Sequence, residues 1–113
     1  MEDGRIEDSH LTASSSKSDD HEPHNARLNH QATRPLGSGR RGAWRAADND
    51  HKSPWIQVNL GATKNVSGVV LQGREDSDQW VTKYKVMFGY EDAPLLLYNV
   101  TPANPKMTVK ILF

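Results

Sequence analysis

The apolar residues of this 113-residue chain are concentrated after Pro54, with 28 among the 59 residues of 55–113 against 12 among the first 54. A stretch with so few apolar side chains can hardly offset the entropy of ordering it, so residues 1–54 taken alone read as a disordered arm. The second part reads as consecutive strands. Residues 55–60 alternate, with Ile56, Val58 and Leu60 on one face and Trp55, Gln57 and Asn59 on the other, and Gly61 is expected to stop the strand. Residues 66–72 are dense in β-branched side chains, as in a strand buried on both faces. Further strands are expected over 81–90, with Tyr84, Val86 and Phe88 facing away from Lys83, Lys85 and Met87, and over 95–100 and 107–113. No stretch has a helical period, and short strands spaced by turn residues predict an all-β sandwich or jelly roll.

Charge excludes some functions. Fourteen basic residues balance 14 acidic ones, and the pI is near 7, which removes the basic footprint of a nucleic-acid binder. The chain has no Cys, hence neither a disulfide framework nor a thiolate metal site. It has no G-x-S-x-G, P-loop or H-E-x-x-H motif, and no enzyme activity is expected. The opening residues Met1 to Arg5 are polar and lack an apolar h-region, so no signal peptide is expected in the chain.

Six ordered blocks carry a family resemblance. Residues 5–16 (RIEDSHLTASSS) resemble the opening GRIxDxxITASS of the discoidin, or coagulation factor V/VIII type C, domain. Residues 26–29 (ARLN), 42–44 (GAW), 55–60 (WIQVNL), 69–74 (VVLQGR) and 76–85 (DSDQWVTKYK) match further blocks in the same order. The resemblance implies that 1–113 is one discoidin-type jelly-roll barrel, and that the polar first half forms its long loops and edge strands. The family pattern continues beyond a segment like 107–113 and is closed by a disulfide; both are lacking here, so an incomplete, marginally stable and aggregation-prone domain is expected. Residues 33–41 resemble an insertion, with Arg34, Arg40, Arg41 and nearby Arg45 as the basic cluster; it is read as a flexible loop, with sulfated glycan or acidic lipid as the alternative contact.

The resemblance further implies adhesion or ligand recognition through loops at one end of the barrel, at 16–24, 47–52 and 74–79. The candidate ligand-binding residues are Asp19, Asp20, His21 and Glu22; Asp48, Asn49 and Asp50; and Arg74, Glu75, Asp76, Ser77, Asp78 and the adjacent Trp80. These loops hold eight of the 14 acidic residues and are expected to form one negative patch. They lack a bulky apolar tip to push into lipid, and their acids repel anionic headgroups, so phosphatidylserine membranes are not an expected partner. A glycan or an extracellular protein suits them better. Exchanging Asp48 and Asp50, or Asp76 and Asp78, for Asn is accordingly expected to weaken binding without changing the melting temperature.

Asp48-Asn49-Asp50 and Asp76-Ser77-Asp78 have the D-x-D look of calcium ligands, but neither continues as an EF-hand loop. No cofactor or metal is assigned, with calcium as the alternative; His21, His24 and His51 read as ordinary surface histidines rather than transition-metal ligands. The resemblance places Trp44 and Trp55 in the core, where truncating a buried aromatic is expected to unfold the domain. The family is extracellular or on the cell surface. Two glycosylation sequons agree, at Asn65 in the turn after Gly61 and at Asn99, the second followed by Pro102. The alternative function is a truncated structural remnant without binding activity. The sequence does not fix the ligand, the parent architecture or the oligomeric state.

Overall fold

The alternation over residues 55–60 is realised in a five-stranded, wholly antiparallel sheet. The structure, a computed structural model, describes residues 4–33, 35, 39–90, 93–98 and 105–112. Its strands are β1 (Leu11–Ala13), β2 (Trp55–Asn65), β3 (Lys85–Gly89), β4 (Leu96–Leu97) and β5 (Pro105–Leu112), arranged β1-β2-β5-β3-β4. Three short 3₁₀ turns, Asp8–His10, Asp19–His21 and Pro23–Ala26, are the helical elements among the described residues.

Along β2, Ile56 and Val58 are buried while the residues between them are half-exposed, as period-2 alternation requires. Leu11 stands opposite Val58 and Ala13 opposite Ile56, so the edge strand β1 seats its own buried Leu11 on the same face. On the other side, β5 runs antiparallel to β2 and then to β3, which places the last strand in the chain at the centre of the sheet. Leu11, Ala32, Ile56 and Val58 form the buried apolar core among the described residues.

Several expectations need correction. Gly61 bends β2 rather than ending it. Its φ of +72° is one that residues with a Cβ rarely adopt, and its N–H donates to Asn59 Oδ1 at 2.8 Å. The pairing with β5 then shifts register between Asn59 and Lys64, a bulge that lets the strand run on to Asn65. Asn65 is therefore an exposed strand end and not a turn residue. Asn99 lies outside the described residues.

Residues 66–72 are not a strand and are not buried: Val70 is 75% exposed. A strand requires a ladder partner, and residues 66–72 have none among the described residues. The strand expected over 81–90 shortens to β3. Only Leu96 and Leu97 of 95–98 are in a strand, and residues 99 and 100 lie outside the described residues. Trp44 and Trp55 are half-buried rather than core residues, with Trp44 Nε1 donating to the Ser15 carbonyl at 3.0 Å.

The described residues of the polar first half form turns, loops and the edge strand β1, which overturns the reading as a disordered arm and agrees with the expectation of long loops and an edge strand. Polar contacts replace the missing apolar ones. Asn25, only 1% exposed, donates through Nδ2 to the Asp20 carbonyl at 2.8 Å, and its N–H donates to the Glu22 carbonyl at 2.9 Å. Arg27 Nη2 donates to the Ile6 carbonyl at 2.6 Å and pairs with Asp8. These donors tie together a chain segment that has few apolar side chains to bury, although Asn25 Oδ1 is itself buried without a partner among the described residues.

Candidate functional site

The three acidic loops come from separate parts of the sequence and are fastened to one another by cations. Loop 16–24 meets loop 47–52 where the Lys17 N–H donates to the Arg45 carbonyl at 2.8 Å and Lys17 Nζ pairs with Asp48 Oδ2 at 3.1 Å. Arg45 Nη2 reaches the same Asp48 at 2.8 Å. Asp50 turns the other way and accepts from Ser14 Oγ at 2.5 Å and Ser15 Oγ at 2.6 Å, tying this loop to the end of β1.

Arg41 joins loop 16–24 to loop 74–79. Its backbone N–H donates to the Asp20 carbonyl at 2.9 Å, its Nε pairs with Asp20 Oδ2 at 2.9 Å, and its Nη1 lies 3.9 Å from Asp76 Oδ2. Asp76 is the anchor of the third loop. Its side chain is 1% exposed and accepts from Arg74 Nε at 2.5 Å and Nη2 at 2.8 Å, and from the Gly42 N–H at 3.3 Å. Arg74 Nη1 also reaches Gln79 Oε1, and the Arg74 N–H donates to the Gln79 carbonyl, closing the loop on itself. Glu75 accepts from the Ala32 N–H at 3.3 Å.

Three of the eight carboxylates of the expected negative patch are therefore paired with cations from within. Asp20, Asp48 and Asp76 face Arg or Lys, and Asp50 faces two hydroxyls. Asp19 and Asp78 are exposed and enter none of these pairs, as is Asn49, while Glu22 is half-buried. Ser77 accepts the Gln79 N–H through its carbonyl at 2.7 Å, and Trp80 stands beside the loop 70% exposed. His21 is buried, with Nδ1 2.9 Å from Asp20 Oδ1 and 3.0 Å from Ser18 Oγ, and so is not a surface histidine. His51 Nδ1 lies 3.1 Å from the Asp48 carbonyl. No group of three or more His, Asp or Glu among the described residues has the arrangement of a metal site, and of the D-x-D carboxylates Asp48, Asp50 and Asp76 are already engaged by cations and hydroxyls.

The clamp residues Lys17 and Arg41 are the part sequence reasoning missed. Arg41 sits in what reads as a flexible insertion, yet Thr33 N–H donates to the Arg40 carbonyl at 2.8 Å and closes that segment. The equal numbers of acidic and basic residues were the available signal.

These contacts set the acid response. The hydrogen bonds from Arg74 hold the Asp76 carboxyl down at about 2. Ser18 and Arg41 hold Asp20 well below the usual carboxylate range, Lys17 lowers Asp48, Ser14 and Ser15 lower Asp50, and Arg27 lowers Asp8. Unfolded carboxyls take up protons near pH 4, so this stabilisation is complete above that value and is lost as the pH falls toward about 2. Burial lowers His30 below its usual 6.5; the unfolded imidazole then protonates first, and stability already begins to fall below about pH 6.5. A melting temperature followed from pH 7 to 2 should decline in these two stages. A flat profile would refute both.

An antiparallel sheet that carries cross-linked loops from distant sequence segments defines a domain of the all-β class. The chain belongs to the F5/8 type C (discoidin) family, whose domain profile matches residues 10–94, and it has that family's jelly-roll class of fold. Among the described residues the strands form one open sheet, not a closed barrel. The chain is 43% identical over 107 residues to hemocytin of Bombyx mori, covering 95% of this chain and 3% of that protein. It is 40% identical over 94 residues to mouse coagulation factor V, covering 78% of this chain and 4% of that protein. Rat lactadherin is 37% identical over 107 residues, covering 88% of this chain and 23% of that protein. The chain thus spans a small part of each. The discoidin domains of such relatives are non-enzymatic binding or adhesion modules of secreted or cell-surface proteins. No helix among the described residues is long and apolar enough to cross a membrane.

Proposed function

We propose that this chain is an extracellular recognition module that binds a glycan or a protein through its three clustered loops. The observation that supports the reading is the double clamp, Lys17 on Asp48 and Arg41 between Asp20 and Asp76, which ties loop 16–24 to each of the other two. Loops held this way lose little freedom on binding, which favours affinity. The carboxylates in the clamps hold the surface together, leaving the exposed Asp19, Asn49 and Asp78 as contact residues. A basic protein segment or sugar hydroxyls fit such groups, whereas phosphatidylserine does not.

The test is binding of the folded chain to a glycan array and to extracellular matrix proteins, alongside phosphatidylserine vesicles. A ligand found on the first two should bind the doubly substituted Asp19→Asn, Asp78→Asn chain at least several-fold more weakly, with no change in the melting temperature. Saturable binding to the vesicles alone would overturn the proposal. Failure of the folded chain to bind any of the three would favour a structural remnant without binding activity.

A further inference from the structure

The far end of β2 runs out beyond its edge neighbour. Among the described residues β1 pairs with Ile56, Gln57 and Val58, while Gly61 to Asn65 are all exposed. Past the bulge β2 keeps β5 alone, and the ladder ends where Asn65 stands opposite Pro105, a residue with no N–H to carry it on. Residues 66–72 join no ladder among the described residues. The sequon Asn65-Val66-Ser67 therefore begins on the last residue of a strand and continues into free backbone. Asn65 and Ser67 are exposed, and neither side chain is hydrogen-bonded among the described residues. An added Cβ at the following Gly68 would meet nothing within 4 Å, so the space beside the sequon is open.

This asparagine lies at the opposite pole from the loops. Loop 47–52 is fastened at the first residue of β2, where Ser14 Oγ accepts the Trp55 N–H at 3.1 Å and donates to Asp50. Loop 16–24 is tied to the same place through Lys17 and Asp48. Asn65 ends this 11-residue strand, and at roughly 3.3 Å per residue about 30 Å of strand separates it from Trp55. The longest dimension of the fold is 44 Å, so a bulky group at Asn65 and a ligand on the loops do not compete for space.

We propose that Asn65 is an N-glycosylation site, which carries its glycan at the end of the domain remote from the ligand loops. The proposal rests on the extracellular reading, because the modification belongs to the secretory route. The sugar donor is an oligosaccharide held on a lipid pyrophosphate. Asn65 Nδ2 forms a bond to C1 of the reducing-end sugar, and the bond from C1 to the phosphate oxygen breaks. The lipid pyrophosphate leaves with that electron pair, and the amide gives up one proton. Ser67 supplies the hydroxyl that makes the triplet an acceptor. A bulky, solubilising chain suits a surface position, and Asn65 has no side-chain contact to lose.

Expressed in mammalian cells behind a cleavable secretion signal, the full chain should exceed its 12.6 kDa by an oligosaccharide that peptide N-glycosidase removes. Release in heavy-oxygen water should leave a labelled Asp at position 65 in most molecules. Asn65→Gln and Ser67→Ala should each lose that label, with an unchanged melting temperature because both positions are exposed. Transfer takes place on entry to the lumen, so retained chain is read in the same way as secreted chain. An unmodified Asn65 in lumenal chain overturns the proposal, as does label confined to Asn99. A ligand found for the loops should bind the glycosylated chain and Asn65→Gln within twofold of each other. Binding many-fold weaker in the glycosylated chain would overturn the placement of the glycan away from the loops. Finding no ligand for either form would overturn the recognition reading, while the label at position 65 decides the glycosylation site by itself.

Discussion

Replacing Asp76 with Asn is expected to cost about 3 kcal/mol, because breaking a buried ion pair from one side leaves the other charge uncompensated. Asp76 is 1% exposed and Arg74 13% exposed at their side chains, so water can do little to replace the lost charge. The amide fits the space but not the bonding. Both carboxylate oxygens accept from donors, Oδ1 from Arg74 Nε and the Gly42 N–H, and Oδ2 from Arg74 Nη2. An Asn side chain must turn an NH₂ toward one of those donors. The expected fall in melting temperature is roughly 10 °C, at about 4 °C or so per kcal/mol for a domain near this size. Asp78→Asn, exposed and outside the clamps, should stay within about 0.5 kcal/mol of the parent. Equal effects at the two positions, measured by thermal denaturation, would show that Asp76 is not an anchor. The sequence alone led to the opposite expectation, that neither substitution would move the melting temperature.

That reversal marks where legibility ends. Ile56 and Val58 were readable as core because alternation is a local property: the pattern that buries one face is written in consecutive residues. The three loops were placed by matching ordered blocks; loop 16–24 contacts 47–52 directly and 74–79 through Arg41. What a carboxylate faces is not local. Asp20 and Asp76 lie 21 and 35 residues from Arg41, and nothing in either loop announces that partner. Residues 66–72 fail as a strand for a related reason. Their β-branched composition is genuine, but a ladder is a property of two segments, and no described segment pairs with them. Gly61 shows the converse. It is a fair turn signal in sequence, yet the register shift against β5 absorbs its positive φ and the strand continues.

The second large effect is expected at the core. Ile56→Ala should destabilise the fold by about 2–5 kcal/mol, the range for truncating a buried aliphatic side chain. Ile56 is 6% exposed and its backbone is paired on both sides, to Ala13 of β1 and Ile111 of β5, so the strands around it have little freedom to collapse into the space left. A small domain holds only about 5–15 kcal/mol in all, and the substitution removes a large share of that. The aromatic residues rank differently from what their size suggests. Trp55 is half-buried, so Trp55→Ala falls short of the full cost of emptying a closed aromatic site. Trp80 is 70% exposed, and Trp80→Ala should change the stability of the fold by about 0.5 kcal/mol or less. Urea denaturation of the three variants resolves the order. Ile56 and Trp80 line the same hollow, one buried and one exposed, and a larger loss at Trp80 than at Ile56 would show that its rim contributes more to the fold than its buried floor.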